Sequence, residues 1–447
     1  MIFTDDLPVT FNDPLPAAVD VVVIGAGVIG ISTAWYLRAR GFSVLVCDKG
    51  RVAGEQSSRN WGWIRQQGRD AAELPIAIDS INAWEELAGE IARETGGDIG
   101  FTRRGVLYAA TTDEQLAGHE AWLDIAAQHQ LDTKLLSASE MDALAPGPVG
   151  QWRGGLFTPS DGRAEPWKAV PLLGQALRAR GGLIRERCAV RSIETTAGRA
   201  SGVITEHGSI SAESVVCAGG AWSTLFMANL GVNLPQLAVR ATVARTASAP
   251  EVYSGNASLG GVAIRRRADG GYTVASSGTN EHFIGADSFR HFFRYLPALY
   301  TSARFIRLRF DGELMARMLP IRRWRDDEVT PFEQQRVLNP PPSPRALDNM
   351  REGLVRRVPE LAGVPFEEAW AGMIDVTPDV VPVMDEVTGY PGLYLATGFS
   401  GHGFGIGPGA GRVMAEMVTG GVSAHDLTRF RLARFTDGSK LEVGPGL

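Results

Sequence analysis

Cysteine is scarce in this sequence: Cys47, Cys188 and Cys217 are the only three in 447 residues. So sparse and odd a set, with Cys47 and Cys217 inside apolar runs, excludes a disulfide-dense scaffold and reads as buried thiols of a reducing compartment. No CxxC and no cysteine–histidine spacing points to zinc or iron–sulfur ligation. A surplus of one charge is missing as well. Lysine and arginine number 44 against 50 acids, a formal net charge of −6. That leaves no general field for nucleic acid or an anionic membrane. The short clusters Arg265-Arg266-Arg267 and Arg322-Arg323 read as solvated faces. Long apolar runs are also lacking: residues 21–31, the longest, hold three glycines and are too short to span a bilayer. Residues 1–20 carry Asp5, Asp6, Asp13 and Asp20 and no basic residue, the reverse of a secretory leader. These absences describe a soluble, cytoplasmic protein with no transmembrane segment and no nucleic-acid partner. What is abundant is glycine, 53 residues, in a chain 44% hydrophobic and long enough for two or three domains.

The glycines are informative first near the amino terminus. Asp20-Val21-Val22-Val23-Ile24 reads as a strand, residues 31–40 as a helix stopped by Gly41, and residues 42–47 as a second strand. Between strand and helix stands Gly25-Ala26-Gly27-Val28-Ile29-Gly30. Gly25 permits the sharp turn, Gly27 lets backbone approach a pyrophosphate, and Gly30 permits close packing of helix on strand. Phosphate charge then meets free N–H groups and the positive end of the helix. Asp48, closing the second strand, is placed to accept from ribose hydroxyls, with Lys49 beside it. The motif serves FAD and NAD alike.

Further along, residues 54–70 combine Trp61 and Trp63 with Arg59, Arg65 and Arg69 and several amide side chains, a loop suited to wrapping a cofactor and closing one side of a pocket. Helices are predicted over 72–95, 113–129, 139–144 and 164–180. Residues 214–223, with Ala218, Gly219 and Trp222, form another buried strand opening into a glycine turn, so the chain leaves the first domain and returns. Antiparallel strands occupy 238–277, aromatics and arginines at helical spacing fill 283–319, and four prolines make 336–345 a loop. Near the end, residues 393–397 read as a buried strand. Residues 398–405 follow as a glycine loop offering N–H donors, and 408–419 as a helix.

Together these segments resemble the D-amino-acid oxidase-like superfamily of FAD-dependent oxidoreductases, which includes glycine oxidase, sarcosine oxidase, dimethylglycine dehydrogenase and polyamine-derivative oxidases. The matching pieces are residues 25–30 with Asp48, 57–62, 218–223, Thr377-Pro378-Asp379 with Pro382, and 398–405. The resemblance implies an α/β fold with an α+β second domain. A split Rossmann-like FAD-binding domain would comprise 15–100, 155–235 and 365–440. A substrate domain on an antiparallel sheet, with a helical insertion, would comprise 101–154 and 236–364. It implies oxidation of a C–N bond in an amine or amino acid, primary or N-substituted, by hydride transfer to flavin N5, the imine then hydrolysing. Oxygen or a quinone or electron-transfer protein would take the electrons. By the same resemblance Ser57, Ser58, Arg59, Asn60 and Gly62 lie along the cofactor, and Gly398, Gly401, His402, Gly403 and Phe404 line its ring end.

Departures from the family pattern bear on the substrate. Where amino-acid-oxidising relatives place a carboxylate-gripping arginine, this sequence has Ile374, which cannot make a bidentate pair. Arg65 and Arg69 are candidates for a carboxylate anchor on another wall. Asp375 pairs with a cationic amine or is a buried structural acid. His402 tunes protonation or makes a structural hydrogen bond. Gly372 stands where sarcosine oxidases attach flavin through cysteine, so the expected FAD is noncovalent. Opine or D-amino-acid dehydrogenation, a noncatalytic flavin-binding subunit of a larger dehydrogenase, and an NAD-linked dehydrogenase are the competing readings.

Overall fold

Strand β1 (Ala18–Ile24) is aliphatic at its centre, with Val21, Val22 and Val23 all buried, so both of its faces need cover. It ends at Gly25, whose φ is +101°. A Cβ there would sit 2.5 Å from Ala218 O, so only glycine fits. Helix α1 (Val28–Ala39) starts behind Gly27, and β2 (Val44–Cys47) returns parallel to β1 in the register Val22↔Leu45. The short helix α2 (Gln56–Arg59) and the long α3 (Leu74–Thr95) follow. The other elements that frame the site are β3 (Gly208–Cys217), β4 (Leu237–Thr246), β5 (Phe366–Val376), β6 (Leu393–Thr397) and the closing helix α4 (Gly403–Val418). These features come from a computed structural model that describes residues 3–276, 278, 280–302, 306–310 and 323–444.

Five parallel strands form the centre of an eight-stranded sheet, in the order β6, β3, β1, β2 and Leu183–Arg185. Residues of α1, α3, α4 and Pro166–Ala179 share one apolar core against it. A second sheet of ten strands is mainly antiparallel, and β5 lies along the length of β4 from Leu237↔Val376 to Thr246↔Phe366. The architecture is therefore mixed α/β: a Rossmann-like sheet and a separate antiparallel one. Strand β5 runs in the second sheet although residues 366–376 fall in the span expected for the cofactor domain; so do residues 155–158 of the strand Gly154–Thr158, which pairs with Val106–Ala110. Among the described residues, no helix is long and apolar enough to cross a membrane.

Helix α4 begins at Gly403, five residues before the predicted start. Its glycines are packing surface rather than loop: a Cβ on Gly411 would meet Ser32 Cβ at 2.5 Å, and one on Gly407 would meet Val28 at 2.6 Å. Pro408 inside the helix cannot donate to Phe404 O, and α3 repairs the gap, Trp84 Nε1 donating there at 3.1 Å. The arginine cluster expected on a solvated face is also different. Arg265 and Arg267 are buried, because Glu165 takes the first at 2.9 Å and Arg267 stacks 4.4 Å over the Trp167 ring. In the stretch 283–319, the described parts are helices Ala286–Arg290 and Phe292–Ser302 and strand Ile306–Arg309; residues 303–305 and 311–319, like Arg322, lie outside the described residues.

Candidate functional site

One cleft of about 1280 Å³, open to solvent, is lined by Gly25, Gly27, Asp48 and Lys49 and also by Asp375, Gly401, Gly403 and Phe404. The two glycine-rich segments, more than 350 residues apart in the chain, thus face a single continuous space. Ser57, Asn60, Ala218, Gly219 and Trp222 lie along it. Gly30, Ser58, Arg59, Gly62, Arg65, Gly398 and His402 are not among the residues that line it.

At the amino-terminal segment, the turn after β1 is held open. Asp48 accepts from Ala26 N at 2.8 Å and from Gly50 N at 2.7 Å, and Ser57 Oγ accepts from Val28 N at 2.8 Å. Burial pushes the Asp48 carboxyl up, opposed by those two N–H groups and by Lys49. Gly27, the residue before α1, has no side chain over the helix end, and Val28 and Ile29 of the first turn line the cleft beside it. Lys49 Nζ donates to Glu55 at 2.8 Å and to the carbonyls of Gln335 and Arg336, 4.1 Å above the Trp222 ring. Glu55 also accepts from Trp222 Nε1 and Leu338 N. The proline-bearing loop is therefore drawn over this part of the cleft.

Arg59 donates to Asn339 Oδ1 and Ala371 O, both within 2.9 Å, and so pins α2 to β5. Asn60 closes α2, its Oδ1 accepting from Gly62 N. Ser58 Oγ donates to Glu55 O. Gly62 and Gly30 are contact points, a Cβ on either colliding with backbone. Gln56 lines the cleft with a buried Oε1 that no described donor serves. A Cβ on Gly372 would collide with that oxygen, so a side chain at the position would need Gln56 to swing away.

At the far segment, Asp375 Oδ2 accepts from Gly398 N at 2.7 Å and its carbonyl from Ser400 N at 2.9 Å, which straps the loop after β6 to β5. Burial pushes the Asp375 carboxyl up to about 6 in spite of the bond from Gly398 N. Strand alternation turns Met373 and Asp375 to the cleft and Ile374 toward Val239, Tyr295 and Val376. Arg65 donates to Gln67 O at 2.7 Å and to Tyr108 Oη, with its guanidinium 5.5 Å over the Tyr108 ring. It makes no ion pair among the described residues. Arg69 is buried, with Nε and Nη2 unpartnered. The His402 side chain, 5% exposed, turns inward with Nδ1 3.4 Å from Glu73 Oε2. Glu55, Gln56, Glu73, Tyr108 and Arg336 were missed from the sequence. Of these, Glu55 and Gln56 fall in the predicted cofactor-wrapping loop 54–70, whereas Glu73 and Arg336 fall in segments read only as a helix and a proline-bearing loop.

The model of the family described as DAO, FAD dependent oxidoreductase, matches residues 20–417. The chain belongs to this family. Among solved structures, the L-amino acid deaminase from Proteus vulgaris has a TM-score of 0.89 at 30% identity, covering 96% of this chain and 100% of that one. That from Proteus myxofaciens, in complex with anthranilate, has a TM-score of 0.90 at 31% identity over 98% and 100%. Glycine oxidase of Geobacillus kaustophilus is 26% identical over 93% of this chain and 97% of its own length. Human mitochondrial sarcosine dehydrogenase is 24% identical over 94% of this chain, which spans 42% of that relative's length. The cleft suits the family's cofactor: a glycine cradle a Cβ would fill, helix N–H groups for the pyrophosphate, and an unserved amide oxygen on Gln56. With glycine at 372, FAD is held noncovalently.

Proposed function

We propose that this DAO-family protein oxidises the Cα–N bond of an amino acid, primary or N-substituted. FAD supplies the two-electron acceptor for that step, and the imine hydrolyses in water. The observation that carries the reading is Arg65. Its half-buried guanidinium is fixed in place by Gln67 and Tyr108 and has no carboxylate of the protein for a partner among the described residues. A fixed, uncompensated guanidinium is the group that matches an amino acid carboxylate in charge and shape. Holding that end orients the amine without requiring a strong base, since a neutral amine donates hydride directly. The likeness to the Proteus deaminases supports an L-amino acid as the substrate. The segments expected along the cofactor fit this reading, with Ser57, Asn60, Ala218, Gly219, Trp222, Gly401 and Gly403 against FAD.

The test is anaerobic flavin bleaching with L- and D-amino acids, N-methyl amino acids, opines and polyamines, followed by air. Bleaching by carboxylated amines is expected, and Arg65→Ala should cut kcat/KM for them by about 10- to 100-fold, the scale of a charge-assisted hydrogen bond. Amines without a carboxylate should respond much less. Bleaching by polyamines alone, or an Arg65→Ala enzyme unchanged toward amino acids, would overturn the reading. The response to air separates oxygen from a quinone or protein-borne acceptor.

A further inference from the structure

Burial alternates from Trp61 to Gln66: Gly62, Ile64 and Gln66 are buried, Trp61, Trp63 and Arg65 half-buried. The short strand Trp63–Ile64 sets the pattern, with Ile64 turned into the core. On the open side the groups touch in sequence. Trp61 and Trp63 meet edge to face with centroids 5.5 Å apart, and Tyr108 lies 6.4 Å beyond Trp63. The Arg65 guanidinium stands 5.5 Å over the Tyr108 ring. Three rings thus lead without a break to an arginine that has no ion pair among the described residues. This stripe abuts the far end of the cofactor cleft. A Cβ on Gly405 would come within 3.4 Å of Trp63 O and 3.5 Å of Arg65 N, and Gly401, Gly403 and Phe404 of the same segment line the cleft. Two indoles left half-buried beside an unpaired charge are the lining of a ligand site rather than of a core.

We propose that the substrate is an amino acid with an aromatic side chain, its carboxylate on Arg65 and its ring against Trp63 and Tyr108. The inference rests on the reading of Arg65 as a carboxylate anchor and adds the class of side chain. Trp63 stands two residues before Arg65, about 6.6 Å along an extended strand. That is close to the span from carboxylate to ring in phenylalanine. A ring entering there packs edge to face or offset, as Trp61 and Trp63 already do, whereas an aliphatic group of equal size gains the burial alone. One more charge bears on this face. Arg163, opposite Trp63 in the strand Gly162–Arg163, is buried and has no ion pair among the described residues. It would suit a substrate with a second carboxylate. Arg163 is only 9% exposed, however, while the rings are half-buried, so the rings are the groups a side chain meets.

The test is binding of propionate, 3-phenylpropionate, 3-cyclohexylpropionate and glutarate to the oxidised FAD-loaded enzyme, followed by the flavin absorption band. 3-Phenylpropionate should bind about 10- to 100-fold more tightly than propionate, the scale of one buried ring. It should also bind about two- to tenfold more tightly than the cyclohexyl probe, the scale of an aromatic pair. Trp63→Leu should erase the second preference and shrink the first, while the Kd of propionate, too short to reach the rings, changes little. In turnover that variant should raise KM for phenylalanine more than it lowers kcat. Equal Kd values for propionate and 3-phenylpropionate in the wild type would sink the idea without recourse to any variant, as would equal values for the phenyl and cyclohexyl probes. Tightest binding by glutarate would give the side chain to Arg163 instead, and an undiminished phenyl preference in Trp63→Leu would remove the rings from the site. If the wild type binds none of the probes, or Arg65→Ala binds them as the wild type does, the anchor itself is wrong. Loss of binding in Arg65→Ala, with no preference among the probes in the wild type, would leave the anchor standing and dismiss only the aromatic class.

Discussion

Trp84 Nε1 donates to the carbonyl oxygen of Phe404 over 3.1 Å, replacing the backbone N–H that Pro408 lacks. The two rings also meet, with centroids 5.0 Å apart, and Phe404 lines the cleft. Helix α3 therefore shapes the far wall of the site through one indole. Trp84→Phe should keep most of the packing and lose the bond, costing about 1–2 kcal/mol in urea unfolding of the FAD-loaded protein. In that background Pro408→Ala restores an N–H to Phe404 and should recover part of the loss. Simple additivity of the two substitutions would show that the indole does not stand in for the missing donor.

Ser57 ties α2 to the start of α1 by accepting the Val28 N–H at 2.8 Å. Removing the hydroxyl frees that N–H and lets the loop drift from the helix end proposed to receive the pyrophosphate. Ser57→Ala should weaken FAD about fivefold to tenfold, the worth of one ordinary hydrogen bond. Gly27→Ala should do more, since its Cβ would press on Ser57 Oγ at 3.0 Å. Quenching of FAD fluorescence on titration into the apoprotein measures both, and equal affinity in all three proteins would dismiss the linkage.

The nucleotide unit was legible in the sequence because its demands are local. Strand, glycine turn, helix stop and Asp48 all fall within 31 residues, from Ala18 to Asp48. The start of α4 was not, because Gly403, Gly405 and Gly407 signal a loop until residues 63–65 are known to press on Gly405 and α1 on Gly407. Arg265 and Arg267 looked solvated because the acid and indole that bury them, Glu165 and Trp167, lie about 100 residues earlier. Glu73 gave no sign for the same reason: an acid opening a helix is ordinary, and only the fold brings His402 to it. The role of β5 was also hidden, since its pairing with β4 joins segments about 130 residues apart.

Asp375 offers a check through pH. Its folded-state carboxyl is pushed up to about 6 from 3.8 by burial. A raised acid contributes stability below its unfolded value and loses it as pH rises through the folded one. Here the window is about pH 4 to 6, and the loss is of order 3 kcal/mol. Asp375→Asn keeps an acceptor for Gly398 N without the charge. The variant should match the wild type near pH 4 and exceed it by about 1–3 kcal/mol at pH 7.5 in urea unfolding across the range. A wild type more stable at pH 7.5 would mean that the carboxylate is satisfied in the fold.

Glu55 gathers three donors that border the cleft: Lys49 Nζ at 2.8 Å, Trp222 Nε1 at 2.9 Å and Leu338 N at 3.0 Å. They come from the end of the first nucleotide unit, the returning segment after β3 and the proline-bearing loop, so one carboxylate joins three stretches of chain across the cofactor's path. Its side chain is 23% exposed, so the ion pair itself adds little to global stability. What it governs is closure. Glu55→Gln keeps the size but loses the charge that Lys49 pairs with, and the loop should open more often. FAD release, followed by fluorescence after dilution, should quicken about tenfold while the urea midpoint moves little. High salt should bring the wild type part of the way to the variant, because a partly exposed pair is screened. An unchanged release rate would show that the loop is held by its packing on Gly50, where a Cβ would collide with Arg336 O, and not by Glu55.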